Sequence, residues 1–260
     1  MPGSPTSLTF KLDRGAGARA RLGLIVLQTD ETIETELSHL MPTNDVALYH
    51  SRIPMIPEVT RQSLVKMESA LPDAVCLFPA PGKLDVVAYG CTSAASVIGP
   101  AAIRNAIQSV CPGVRVTDPI SAAIAACRAL SVRRIDFVTP YIADVSETMR
   151  NYLSRQGIDV QSFASFNEID DRRVACITPS SILAAIESVA GQSDSELVFV
   201  SCTGLRVAGV VQLAEERIGR PVISSNTALA WHMLRLAGVN DARRGFGRLM
   251  LVPDVADATA

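Results

Sequence analysis

Two cysteines in this chain sit in the same local sequence. Val86-Val87-Ala88-Tyr89-Gly90-Cys91-Thr92-Ser93 and Leu197-Val198-Phe199-Val200-Ser201-Cys202-Thr203-Gly204 are each an apolar run ending in a small residue, then Cys-Thr. Each run has the length and β-branched content of a buried strand, and each leads into a helical pattern. A thiol at the tip of a strand, just before a helix N-terminus, meets the positive end of the helix dipole and free backbone N–H groups, both of which favour the thiolate. At least one of the two is therefore expected to titrate well below about 8.5, the ordinary thiol value. A matched pair points to two thiols facing one substrate. They can take a proton from one face of a planar carbon and return it on the other, or one can attack as a nucleophile while its mate supplies a proton. The plainer alternative is two buried cysteines acting as small hydrophobes. The threonine after each, at a repeated position, weighs against it.

Other residues fall at the same kind of place. Thr92, Ser93, Thr203 and Gly204 follow the cysteines, and their hydroxyls and N–H groups suit either an anionic substrate group or ordinary helix capping. Tyr141 follows the run Arg134–Pro140, and Asn167 follows Val160–Ser165; a phenol and an amide there would orient a carboxylate by hydrogen bonds. Gln28 and Asp30 end the run Arg21–Gln28, with Asp30 as a helix cap or as part of a pocket wall. Ser224-Ser225-Asn226 is likewise a cap with some reach toward the site. His50 lies near a strand end, His232 beside Trp231 reads as structural, and His39 as solvated. Cys76, Cys111, Cys127 and Cys176 have no counterpart in the repeat and read as structural. There is no CxxC pair or zinc spacing, and no P-loop, GxGxxG or GxSxG string. No metal or organic cofactor is needed for the thiol chemistry, and none is expected.

The elements that must position these groups alternate. Strands are expected at Arg21–Gln28, Val46–Arg52, Leu84–Gly90 and Val114–Thr117. Helices are expected at Asp30–Leu40, Pro57–Leu71, Ser93–Val110 (interrupted at Gly99-Pro100) and Ile120–Leu130. The pattern then restarts, with strands at Arg134–Pro140, Val160–Ser165, Leu197–Ser201 and Val222–Ser224. Its helices are Asp144–Gln156, Pro179–Ala190, Val207–Ile218 and Thr227–Ala237. Arg21 maps to Arg134, 113 residues on; Cys91 maps to Cys202, 111 on; Val116 maps to Val222, 106 on. Nearly constant offsets indicate two similar βαβ series. The expected fold is α/β: two pseudo-symmetric Rossmann-like halves, each a parallel sheet flanked by helices, with the site in the cleft between them. Ligands of open α/β sheets bind beyond the carboxyl ends of the strands, where both Cys-Thr turns lie. Residues 21–118 plus 225–253 make the first half and 119–224 the second, with flexible tails at 1–20 and 254–260.

The bulk composition is that of an ordinary globular chain: 260 residues, 48% hydrophobic and 19% charged. A net charge of −2 argues against nucleic acid or an anionic membrane as partner. No apolar run has the length of a membrane span, and no secretory signal is evident. A cytoplasmic protein with reduced thiols is expected.

RLGLIVLQTDETIETE, VVAYGCTSA, VTPY, FNEIDDRRVA and SSNTALAWH together resemble the aspartate/glutamate racemase superfamily, in particular its maleate cis-trans isomerase and arylmalonate decarboxylase branch. They look most like the ectoine-utilisation (EutA-type) members of that branch, over roughly Arg21 to Val239. The resemblance implies a cofactor-independent isomerase acting on a small carboxylate or amino acid. It makes Cys91 the nucleophile, Cys202 the proton donor, and Tyr141 and Asn167 the carboxylate-orienting residues, and by analogy implies a homo-oligomer, dimer or tetramer. Decarboxylases of the branch have glycine at the first cysteine position, whereas this chain has both cysteines. Decarboxylation, and a carboxylate-binding protein without catalysis, are the alternatives. In maleate isomerases the first strand is followed by a Ser-Asn-Thr string whose asparagine binds a carboxylate. Here that stretch is Gln28-Thr29-Asp30-Glu31, and an inward Asp30 would repel a dianion and favour a substrate carrying an amino group.

Overall fold

The computed structural model describes residues 7–42, 44–55 and 67–253. Strands β1 (Ala20–Leu27), β2 (Val46–Ile53), β3 (Val86–Gly90) and β4 (Arg115–Thr117) form one parallel sheet in the order β2-β1-β3-β4. Strands β5 (Arg134–Thr139), β6 (Asp159–Ser165), β7 (Leu197–Val200) and β8 (Val222–Ser224) form a second in the order β6-β5-β7-β8. The orders are identical once β5 is matched to β1, so the repeat in the sequence is a repeat in topology. The central strands β1, β3, β5 and β7 are nearly continuous apolar runs, as strands covered on both faces must be. The edge strands β2 and β6 carry polar residues and are only half-buried.

Helices α1 (Ile33–Leu40), α2 (Leu71–Cys76), α3 (Thr92–Ile98), α4 (Pro100–Gln108) and α5 (Pro119–Ala129) accompany the first sheet in sequence. Helices α6 (Ala143–Arg155), α7 (Asp171–Ala175), α8 (Pro179–Ala190), α9 (Val211–Ile218) and α10 (Ser225–Leu236) accompany the second. Five of these ten begin at a side-chain cap. Asp118 Oδ1 accepts from the N–H of Ile120 and Ser121 at α5, and Thr178 Oγ1 accepts from Ser181 N–H at α8. The Gly99-Pro100 interruption separates α3 from α4, with Gly99 at φ 90°. The expected helix Pro57–Leu71 falls mainly on 56–66, outside the described residues. Its described end is a 3-10 turn, Glu68–Ala70, leading into α2, which the sequence reading did not anticipate. Residues 7–19 form neither helix nor strand, while 1–6 and 254–260 lie outside the described residues. Among the described residues no helix is long and apolar enough to cross a membrane.

The two sheets are joined by polar contacts as well as by packing. Helix α10 lies against α1 and α5, and α3 lies against α6. Glu36 on α1 is buried. It accepts from Ala208 N–H, after β7, and from Asn226 Nδ2 on α10, both at 2.8 Å. Thr32 Oγ1 donates to the carbonyl of Gly204 at 2.9 Å. These bonds tie the first helix of one half to the segment after the second cysteine.

Burial pushes the Glu36 carboxyl up to about 7 from 4.5, against the opposing pull of its amide donors. The folded chain therefore holds a proton that the unfolded chain releases above 4.5. The stability contributed by this group is complete below that value and is lost as pH rises through about 7. Glu36→Gln keeps the volume and removes the titration. The wild type should lose on the order of 2–3 kcal/mol between pH 5 and 8 in denaturant titrations, a loss that the variant lacks. Parallel pH profiles for the two proteins would refute this.

Candidate active site

In each sheet the chain runs one way from the first strand to its neighbour and the other way to the third. This leaves a topological switch point between β1 and β3, and another between β5 and β7. Asp30 follows β1, Cys91 follows β3, Tyr141 follows β5 and Cys202 follows β7. All four line one cavity, together with Leu27, Thr29, Glu31, Met55, Ser93, Asp171, Ala175, Thr203 and Gly204. The duplication thus brings equivalent strand ends of the two sheets face to face.

Cys91 is the N-cap of α3. Its Sγ accepts from Ala94 N–H at 3.4 Å and lies 3.6 Å from Ser93 Oγ. The residue before it must be small, because a Cβ on Gly90 would stand 2.9 Å from Ile33 Cδ1 and 3.1 Å from the Ile25 carbonyl oxygen. The second turn is built differently. The expected helix from Val207 begins only at Val211, so Cys202 does not cap a helix. Residues 203–210 instead turn toward α1, where Thr32 and Glu36 take up the Gly204 carbonyl and the Ala208 N–H. Cys202 Sγ accepts from Gly204 N–H at 3.4 Å, and Cys202 has φ 152°, a region that side-chain-bearing residues rarely adopt.

The expectation of a depressed thiol is reversed. Burial pushes Cys91 up to about 11; Ala94 N–H and Ser93 oppose this, and the charges of Asp171 and Asp30 add to it. Cys202 is raised further by the same burial and the same two carboxylates, against Tyr141 and Gly204 N–H. One short helix and a few N–H groups do not outweigh burial in a cavity that also holds carboxylates. Both thiols are protonated at neutral pH in this state. Tyr141 is itself buried, and burial first, then the nearby thiols, raises its phenol.

The other expected site residues divide. Ser93, Tyr141, Thr203, Gly204 and Asp30 line the cavity. Asp30 serves both of its expected roles, because its Oδ1 also accepts from Thr32 and Ile33 N–H at 2.8 Å, just ahead of α1. Gln28 is exposed, and its backbone N–H pairs with the Ile53 carbonyl instead. Thr92 faces away from the cavity: its Oγ1 is bonded to Ser225 Oγ at 2.8 Å. Asn167 is exposed at φ 53°, and its N–H goes to Ser165 Oγ. His232 is held by Thr117 Oγ1 at 2.7 Å, and burial lowers it to about 4, a neutral structural histidine.

Leu27, Thr29, Glu31, Met55, Asp171 and Ala175 line the cavity without having been expected there, and Asp171 is the one among them that bonds across it. The Asn167 turn and the Glu168–Arg173 ion pair at 2.6 Å shape the approach to α7, with Asp170 accepting from Arg172 N–H as its cap. Asp171 opens that helix, and its Oδ2 accepts from Thr29 Oγ1 at 3.0 Å across the cavity. The Asp170-Asp171 pair ahead of two arginines was a visible helix-start signal, but a helix of five residues has no periodicity to reveal it. Among the described residues no cluster of three or more metal-ligating side chains occurs.

The profile of the arylmalonate decarboxylase family matches residues 102–250, more than half of the chain, and the chain belongs to that family. A maleate isomerase of Nocardia farcinica is 28% identical over 239 residues, covering 88% of this chain and 95% of its own length. A crystal structure of a Pseudomonas putida maleate isomerase with maleate has the same fold. It matches with a TM-score of 0.82 at 23% identity, covering 90% of this chain and 98% of the other. A Nocardia farcinica maleate cis-trans isomerase mutant with a covalently bound succinylcysteine intermediate matches at 0.78 and 25% identity, over 89% and 98% of the two chains.

In the ligand-free protein, iodoacetamide labelling followed by peptide mass mapping should show exposed Cys76 and Cys176 reacting first. The Cys91 rate should climb with pH without levelling below about pH 9, and Cys202 should lag behind it. A plateau for either cavity thiol near neutral pH would mean a stabilised thiolate and would contradict the electrostatics above.

Proposed function

We propose that this chain is a cofactor-independent isomerase of the maleate cis-trans isomerase and Asp/Glu racemase kind, with Cys91 and Cys202 as its catalytic pair. The observation that carries this reading is that two thiols from equivalent strand ends line one cavity. Their different settings support unequal roles, because Cys91 caps a helix and accepts from Ala94 N–H, whereas Cys202 caps none. Cys91 is then the thiol that ionises and attacks, and Cys202 is the one that keeps its proton to donate.

In cis-trans isomerisation the Cys91 thiolate forms a C–S bond to one alkene carbon. The π pair moves to the neighbouring carbon, which takes the Cys202 proton and gives a saturated, succinyl-type adduct. Rotation about the new single bond follows. Cys202 thiolate then removes the proton, the π bond re-forms in the trans geometry, and Cys91 leaves as thiolate. The succinylcysteine in the Nocardia relative is an adduct of this kind. In racemisation one thiolate removes the α-proton while the opposite S–H delivers another, so the number of protons is unchanged.

The substrate reading is a small carboxylic acid that carries an amino group. Apart from the thiols and Tyr141, the ionisable side chains among the described lining residues are all carboxylates: Asp30, Glu31 and Asp171. Burial is the main reason that both thiols are protonated, and the charges of Asp30 and Asp171 add to it; an ammonium between these carboxylates would remove that added part and so favour the thiolate. A dianion would raise the thiols further. Ser93 Oγ and the Tyr141 hydroxyl are the lining donors for a single carboxylate, whereas Thr203 Oγ1 donates to the Gly90 carbonyl at 3.5 Å. The resemblance to EutA-type, ectoine-utilisation proteins points to the same substrate class.

The test runs the purified protein in D₂O against maleate and against single enantiomers of small amino and diamino acids, followed by proton NMR. Loss of the α-proton signal in an amino acid, faster than maleate turnover, is the expected result. Fast maleate turnover with no α-exchange would overturn the substrate reading. Carbon dioxide release from a malonate by Cys91→Ala would favour decarboxylation instead. Cys91→Ala and Cys202→Ala should each lower turnover by about a thousandfold or more. Asp171→Asn and Asp30→Asn, which keep size and capping, should lower kcat/KM for the amino substrate by about 10- to 100-fold, equivalent to roughly 1.4–3 kcal/mol. An unchanged preference in both variants would remove the carboxylates from substrate selection.

A further inference from the structure

We propose that Ser225 is a positioning residue whose one buried hydroxyl fixes the two thiol turns relative to each other; this rests on the reading that the thiols act as a pair. Ser225 Oγ accepts from the backbone N–H of Cys202 at 3.0 Å and shares a hydrogen bond with Thr92 Oγ1 at 2.8 Å. Thr92 is the neighbour of Cys91, so a single oxygen touches both Cys-Thr turns. Ser225 and Thr92 are both fully buried. Water is thus excluded from substituting for either bond.

The hydroxyl of Ser225 is not needed to start its own helix. Ser224 already caps α10: its Oγ accepts from Thr227 N–H at 3.0 Å, and Thr227 Oγ1 accepts from Ser224 N–H at 2.8 Å. Ser225 is therefore free to face the cysteines. The next residue completes the grip, with Asn226 Nδ2 donating to the Thr203 carbonyl at 2.9 Å. The chain is held just before and just after the Cys202–Thr203 bond, at the place where Cys202 has φ 152°. A strained residue keeps such a conformation only when its surroundings over-determine it, and Ser225 and Asn226 supply that determination. Without the Ser225 hydroxyl, the Cys202 backbone can relax and its thiol swings relative to Cys91. Chemistry that needs both sulfurs on one carbon then fails, while groups that only hold the carboxylate stay in place.

The test compares wild type, Ser225→Ala, Thr92→Val and the double variant, using melting temperature, steady-state kinetics on the substrate found by the D₂O screen, and site-resolved iodoacetamide labelling. The clamp predicts at least a tenfold loss of kcat in Ser225→Ala, with KM within about twofold. It predicts a smaller loss in Thr92→Val and a double variant no worse than Ser225→Ala, because both changes break one linkage. Labelling of Cys202 relative to Cys91 should rise at least threefold in Ser225→Ala. If Ser225→Ala does not fold, Thr92→Val carries the test alone through its kcat and labelling ratio. Unchanged kcat and labelling ratio, fully additive effects, or a kcat loss matched by loss of folded protein each overturn the clamp. A shifted labelling ratio in a protein that turns over no acid overturns the isomerase reading and leaves the clamp standing.

Discussion

Everything at the site depends on how two parallel sheets are docked. A parallel sheet sends the carboxyl ends of all its strands in one direction, and each half alone offers one cysteine at one switch point. The two thiols share a cavity where α1 and α10, which pack against each other, are both bonded to the segment after β7. Glu36 is the centre of that junction. Its carboxyl is buried, and it accepts from Ala208 N–H and Asn226 Nδ2. A buried carboxyl of this kind is costly unless hydrogen-bonded, and here the bonds it demands are the ones that orient the halves. Thr32 reinforces them through the Gly204 carbonyl.

The same closeness sets the electrostatics. Docking removes water from around Cys91 and Cys202 and brings Asp30 from one half near Asp171 from the other. The thiols are consequently held as S–H groups rather than poised as thiolates. Their reactivity is conditional on what enters the cavity. A cation between the carboxylates relieves the repulsion, whereas an added anion deepens it. Substrate charge and thiol ionisation are therefore one coupled quantity, decided by residues that lie far apart in sequence.

Much of this was legible in the chain itself. The two Cys-Thr strings, the near-constant offset and the apolar central strands led to the duplicated α/β fold, and the identical strand orders of the two sheets match that reading. Strand β8 and helix α8 fall on the spans read from their patterns, because Thr178-Pro179 and Ser224 are strong start signals. The misses have a common cause. Thr92, Gln28 and Asn167 sit beside the strand ends, as expected, but which way a side chain points there depends on what packs against the turn. Thr92 is drawn to Ser225, more than a hundred residues later, and Asn167 shapes a turn that delivers Asp171 instead. Helix α9 starts late because residues 203–210 bond to α1, a contact invisible to any local pattern.

By itself, then, the sequence determined most of the elements, their duplication and the placing of a cysteine at equivalent strand ends, because strand periodicity, caps and a repeated string are local properties. The tertiary structure alone decided that the thiols are neutral, that Asp171 faces them, and that Ser225 joins their turns. Desolvation, charge proximity and hydrogen bonding between distant residues do not exist until the halves are docked.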